Sequence, residues 1–255
     1  MEYREHSFKN LNYEFLKSVD GYFCLVKITR VGINRKFPLA SVVDENGVRV
    51  FRNDIVGQEL YVDKYALEDL IEFQDVDFEV IRGYYYDEGR NPKIKEVIEL
   101  LFNERLKKKA EHNPIQIVYK LIMNASYGKS ILKPITTEIK IIDGENTLNK
   151  FVQKNYNRIT EYNEIQNHKL NSKVKKYRVK LIVPIKNHFN NCVLGVECLS
   201  MSKRIMNEVI CLGEDNGLNI FYQDTDSLHI FKSDVVILET AYLEKYNRVL
   251  TGKQL

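Results

Sequence analysis

Short runs rich in apolar and β-branched positions, separated by polar breaks, make up the first part of the chain. "YFCLVKITRV" (Tyr22–Val31), "GVRVFRND" (Gly47–Asp54) and "GQELYVDKY" (Gly57–Tyr65) are β-rich and broken by Gly, Asn and Asp. The first 60 residues therefore read as strands, with "DENG" (Asp44–Gly47) supplying a hairpin turn. "DKYALEDLIEF" (Asp63–Phe73) has the spacing of a short amphipathic helix, and "VDFEVIRGYYYDEG" (Val76–Gly89) reads as a strand closing on a turn.

The period then lengthens. "NPKIKEVIELLFNERLKKKAEHNPIQIVYKLIMNASYGKS" (Asn91–Ser130) contains Asn-Pro twice, the N-cap and first-turn chemistry of a helix start, and predicts a helical hairpin. Its first helix is expected to bury Ile94, Val97, Ile98, Leu101 and Phe102 before the basic run Arg105, Lys107, Lys108, Lys109. Its second helix places Gln116, Lys120, Asn124 and Tyr127 on one face, with Gly128 at its end. Residues 131–190 turn polar and read as an insertion with some β content. Its basic residues Lys173, Lys175, Lys176, Arg178 and Lys180 partly alternate, as on a β-ribbon with one cationic face. "CVLGVECLSMSKRIMNEVICLGEDNG" (Cys192–Gly217) is a long helix whose Gly-bounded end leads into "IFYQDTDSLHIF" (Ile220–Phe231), read as a strand.

Composition limits the possibilities without choosing among them. With 255 residues, 44% hydrophobic and 29% charged, the chain has material for one large domain or two smaller ones. A net charge of +3 is mildly basic, so nucleic-acid contact has to come from locally placed Lys and Arg. Cys24, Cys192, Cys198 and Cys211 form no CxxC pair and the five histidines no zinc spacing, which suits free thiols in a reducing compartment. With no long apolar run or leader-like start, a soluble intracellular protein is expected.

The chemistry concentrates at Asp224 and Asp226. On a strand, positions i and i+2 point to one face, and two carboxylates there repel each other unless a cation lies between them. Oxygen ligands on a short rigid element suit Mg²⁺; an edge strand whose solvated face carries DxD satisfies the same pattern. The face Lys120, Asn124, Tyr127 offers a point charge for phosphate oxygens and a ring for a sugar or base, or a plain solvated stripe. Arg105 to Lys109 can share an anionic target with Lys120, or simply complement the helix dipole.

"KLIMNASYG" (Lys120–Gly128) resembles the KxxxNSxYG motif of family B DNA polymerases, and "YQDTDS" (Tyr222–Ser227) resembles their YxDTDS motif. The separation of the two motifs and the insertion between them are similar to the protein-primed branch of viruses, phages and linear plasmids. In place of the usual Ser, Ala125 and Ser126 follow Asn124. The resemblance implies an α+β fold: a palm with an antiparallel sheet, helical-hairpin fingers and a mid-palm insertion that helps hold DNA. Its parts would be palm and associated β-rich segment (1–88), fingers (89–130), insertion (131–190) and palm with the YQDTDS strand (191–255).

The resemblance also implies roles. Asp226 and Asp224 are the metal-binding and catalytic carboxylates; Arg105, Lys109, Lys120, Asn124 and Tyr127 hold the nucleotide, Lys108 competing with Lys109; and Tyr222, Thr225, Ser227 and Gly128 support the motifs. The reaction is transfer of dNMP from a dNTP to a primer 3′-OH with two Mg²⁺ ions, on primer-template DNA, with a terminal protein as a further partner and no membrane. The family's DxxSLYP motif, whose Asp is the second bridging ligand, does not occur in the chain. A fragment cut at both ends is expected, which extends no primer on its own. The alternatives are a remnant that binds DNA or nucleotide without synthesis, and an unrelated nucleic-acid protein with a coincidental DTD.

Overall fold

The computed structural model describes residues 6–9, 12–165, 175–187 and 190–250; Lys173 and the final residues 251–255 lie outside them. In chain order the elements are β1 (His6–Lys9), α1 (Tyr13–Ser18), β2 (Gly21–Val31), β3 (Ser41–Val43), β4 (Arg49–Phe51), β5 (Glu59–Asp63), α2 (Lys64–Gln74) and β6 (Val76–Tyr86). Next come α3 (Pro92–Ala110), α4 (Gln116–Gly128), β7 (Thr137–Asp143), α5 (Glu145–Asn155), β8 (Ile159–Ile165) and β9 (Lys176–Ile182). α6 (Cys192–Asp215), the hairpin β10 (Tyr222–Asp224) and β11 (Ser227–His229), and α7 (Asp234–Tyr246) complete them. All described strand pairings are antiparallel, so the fold is a mixture of helices and antiparallel sheet. Contacts divide the chain into two compact units, Leu121–Gly195 and the remainder.

The larger unit is built on a four-stranded sheet of order β1-β6-β2-β5. Strand β2 alternates, and Tyr22, Cys24, Val26 and Ile28 enter a core with Leu67, Leu70 and Phe73 of α2, Leu16 of α1 and Cys211 of α6. Gly83 is required where it stands, because a Cβ there would collide with Phe23 O and Cys24 on the paired strand. Asp63 caps α2 by accepting from the Ala66 amide at 2.7 Å. The DENG segment does join β3 to β4: Asp44 Oδ1 accepts from Asn46 N and Val48 N, and Gly47 takes φ 77°. Helix α1 stands where only strands were expected; its six residues are too few for a helical period to show, but Asn12 caps it.

Helix α3 starts as predicted, with Asn91 accepting from Lys93 N and Pro92 in the first turn. Its predicted buried face is a misreading. Neither α3 nor α4 has a fully buried residue, and Ile94, Val97 and Phe102 stay 43–54% exposed, because apolar spacing predicts a stripe but not a partner to cover it.

In the smaller unit β7, β9 and β8 form a three-stranded sheet in that order. Helix α5, whose Leu148, Phe151 and Val152 repeat at helical spacing, covers one face by packing on Ile142, Tyr177, Val179 and Leu181. Lys176, Arg178 and Lys180 alternate with those buried residues on β9, so the basic row does share a face. β9 is the middle strand of a sheet and not one arm of a ribbon. Two of its cations are matched across strands, Lys176 with Asp143 at 3.6 Å and Arg178 with Glu161 at 3.9 Å.

Candidate functional site

YQDTDS does not form one strand. β10 ends at Asp224, Thr225 and Asp226 make a two-residue turn, and β11 begins at Ser227, with Tyr222 opposite His229, Gln223 opposite Leu228 and Asp224 opposite Ser227. The reading of two acids at i and i+2 on one strand face is thereby corrected: Asp224 closes the ladder and Asp226 sits in the turn. Thr225 makes that turn with φ 51°, a conformation that β-branched residues avoid. Its hydroxyl donates to Asp224 Oδ1 at 3.0 Å, and Ser227 Oγ donates to Asp224 O at 3.0 Å. Both carboxylates are exposed, so the hairpin presents them to solvent instead of burying them.

The hairpin is held from behind. Alternation turns Leu228 inward, and with Ile230 it packs on Val209, Leu212 and Leu218 and on Leu238 and Tyr242 of α7. At the end of α6, Leu218 N donates to Gly213 O and Gly217 adopts φ 70°, a Schellman-type stop that sends the chain into β10. Sequence reasoning missed two residues here. Arg35, almost fully buried, donates to Phe73 O, Cys211 O and the Asp215 carboxylate, fixing the C-terminal end of α6. Glu208 accepts from the Tyr242 hydroxyl at 2.9 Å and from Arg248 at 2.7 Å, tying α6 to α7. A lone Arg in a loop or a Glu in an amphipathic helix carries no local signal of such a partner.

Lys120 and Asn124 are exposed and Tyr127 is half-buried along α4. Ser130 donates to Tyr127 O through both its amide and its hydroxyl, continuing the turn past Gly128. Gly128 itself has an open surround and no positive φ, so nothing local demands glycine. Of the basic run, Lys109 is exposed, Arg105 is half-buried with Nε lacking a hydrogen-bond partner, and Lys108 is paired with Glu111 at 2.8 Å. That pairing holds the Lys108 ammonium above its usual range and leaves Lys109 the freer of the two.

The donor set fits Mg²⁺ in part. Two exposed carboxylates at one hairpin end suit an ion that takes one or two carboxylates and completes its shell with water and phosphate. Among the described residues no group of three or more His, Cys, Asp or Glu converges. No helix among them is long and apolar enough to cross a membrane. All four cysteines are free; burial pushes the Cys24 and Cys211 thiols up to about 12.

Comparison with known proteins follows the same direction. Residues 6–209 match the family model for DNA polymerase type B, organellar and viral, a match that ends before the hairpin. A DNA polymerase of Acidianus bottle-shaped virus (isolate Italy/Pozzuoli) is 45% identical over 56 residues, 21% of this chain and 9% of the relative. Two structures of Phi29 DNA polymerase, one complexed with primer-template DNA and one an orthorhombic crystal form, each match 89% of this chain at TM-score 0.50 and 15% identity. The chain spans about a third of those solved chains (33% and 34%) and a smaller part of the viral relative. With four-fifths of its residues matched by that model, the chain belongs to the type B DNA polymerases of the organellar and viral group.

Proposed function

We propose that the chain forms part of a template-directed DNA polymerase, contributing a nucleotide-binding helix pair and a metal-binding hairpin that together transfer dNMP from a dNTP to a primer 3′-OH. The observation that carries the reading is the YQDTDS hairpin, whose strained turn presents Asp226 beside Asp224 on a packed base. In this reading 1–88 and 191–255 are palm, 89–130 fingers and 131–190 the insertion that helps hold primer-template DNA, with a terminal protein as the priming partner. The setting is intracellular replication of a viral or plasmid-like genome.

Asp226 and Asp224 would hold Mg²⁺. Bound there, the ion would neutralise charge on the transferring phosphoryl group. The Thr225 hydroxyl orients the Asp224 carboxylate while Ser227 anchors its backbone carbonyl, so the free carboxylate oxygen keeps one direction as nucleotide arrives. Lys120 and Lys109 supply point charges to the triphosphate, with the half-buried Arg105 of α3 as a further cation, while Asn124 and the Tyr127 ring line the sugar side of the helix that carries Lys120.

A second reading, binding without synthesis, is favoured by the lack of a third converging acid among the described residues. Titration of the chain with Mg²⁺–dATP tests the shared part: Lys120→Ala or Asp226→Asn should each weaken binding by about tenfold or more, the scale of a lost charged hydrogen bond. Nucleotide affinity indifferent to both changes sinks the site. Primer extension separates the readings. The chain alone should extend no primer, whereas the chain joined to an upstream segment carrying DxxSLYP should extend one and lose that activity on Asp226→Ala.

A further inference from the structure

We propose that the open face of the four-stranded sheet is a stacking platform for single-stranded DNA, centred on Tyr61, Tyr84 and Phe23 with Arg82 among them. One face of this sheet is closed by the core, into which β2 sends Tyr22, Cys24, Val26 and Ile28. The intervening residues point the other way, and the strand registers align them in rows. Asp63, Phe23 and Tyr84 lie abreast, then Tyr61, Leu25 and Arg82, then Glu59, Lys27 and Glu79.

A solvated antiparallel face ordinarily carries small polar or charged side chains. Here Tyr61 is 77% exposed and Tyr84 45%, on either side of the half-buried Phe23. Leu25 between Tyr61 and Arg82 and Asp63 at the end of the first row are buried, so the exposed part of the face is the two tyrosines with Arg82 and Lys27. Arg82 crosses the sheet to donate to the Tyr61 hydroxyl at 3.3 Å, placing a guanidinium plane among the rings. Phe23 also meets Tyr86 edge to face, with centroids 6.4 Å apart, which stiffens that end of the face. Rings this exposed add little to folding, but they offer π-faces to any base.

The occupant follows from the chemistry. Bases in a duplex are stacked on each other and closed to side-chain rings, whereas unpaired bases spread over an aromatic sheet and pair their phosphates with nearby cations. Arg82 and Lys27 form no ion pair with a described residue, so both charges are available to phosphates. Glu59 and Glu79 flank Lys27 in the last row and end the cationic track there, confining the platform to a few nucleotides. The choice of DNA over RNA rests on the polymerase reading; the stacking does not.

The test is fluorescence anisotropy of the full chain with a fluorescein-labelled oligo(dT), together with photocrosslinking to an oligonucleotide carrying 5-iododeoxyuridine. Tyr61→Ala and Tyr84→Ala should each weaken oligo(dT) binding by about tenfold, the scale of one lost stacked base, while Tyr61→Phe stays close to the parent. Both positions are exposed, and unchanged urea unfolding will show that each variant is folded. Crosslinks should fall on Tyr61, Tyr84 or Phe23. Parent-like binding by the doubly substituted chain, crosslinks confined to other segments, or tighter binding of oligo(rU) than of oligo(dT) would each overturn the proposal. Asp226→Asn should weaken Mg²⁺–dATP binding yet keep oligo(dT) binding; nucleotide affinity unmoved by Asp226→Asn, with the tyrosine variants still losing oligo(dT), would remove the nucleotide site and leave the platform standing.

Discussion

Asp224 and Ser227 are locked to each other twice, once as the last pair of the β10–β11 ladder and once through the Ser227 hydroxyl on the Asp224 carbonyl. Between them only two residues remain, and one of these, Thr225, has to take a left-handed conformation. The turn is therefore set by its two ends, and Asp226 follows from it.

Relief of that strain is measurable. Thr225→Gly should raise stability in urea by about 1 kcal/mol, because the strain removed exceeds the added freedom of glycine in the unfolded chain. The same variant should weaken Mg²⁺–dATP binding, since Asp224 loses the hydroxyl that orients it. A stability loss above about 1 kcal/mol would show that the Thr225 hydroxyl outweighs the strain.

Arg35 holds the other end of the approach to the hairpin. Its side chain is buried against two carbonyls and Asp215, with Glu214 3.8 Å away, so Arg35→Leu leaves those acceptors without their donor. A loss of about 3 kcal/mol in urea unfolding is expected, the scale of breaking a buried pair. A change below about 1 kcal/mol would show that the loop can move and let water replace the guanidinium.

Asp63 gives the stability a pH dependence. Burial raises its carboxyl above the usual carboxylate range, with Ser200, the Ala66 amide and Arg204 pulling the other way. A carboxyl with a raised folded pKa favours folding when protonated; that contribution is complete below the unfolded value and is lost as pH rises through the folded one. Asp63→Asn keeps the cap oxygen and mimics the protonated form. It should be more stable than the parent at pH 7, and the gap should close as the pH falls toward 4. A gap that is constant between pH 4 and 7 would remove Asp63 titration as its source.

The four thiols should separate by access. Cys192 is exposed and Cys198 half-buried, while Cys24 and Cys211 are buried with thiols pushed up to about 12. Ellman's reagent at pH 8 should label Cys192 first and Cys198 more slowly, and reach the other two only on unfolding. Early labelling of Cys24 would mean that β2 opens in the native state.

Local signals carried a good part of this fold. Asn91-Pro92 announced α3, amphipathic spacing over Asp63–Phe73 announced α2, and the β-rich run Tyr22–Val31 announced β2. Helix α1 was too short to show a period, and α5 passed unnoticed although Leu148, Phe151 and Val152 repeat at helical spacing. The α3 stripe was legible as a stripe but not as an exposed one, since burial depends on what lies opposite.

By itself the sequence pointed to the family, because "KLIMNASYG" and "YQDTDS" are chemical strings whose residue types and order survive without coordinates. Only the tertiary structure decided that YQDTDS bends after Asp224, that Arg35 reaches Asp215 across 180 residues, and that Tyr61, Arg82 and Phe23 share one surface. The physical reason is the same in each case. Turn conformation, ion pairing and strand register are settled by competition among distant groups for the same space and the same hydrogen bonds, and that competition has no trace in the spacing of residues along one segment.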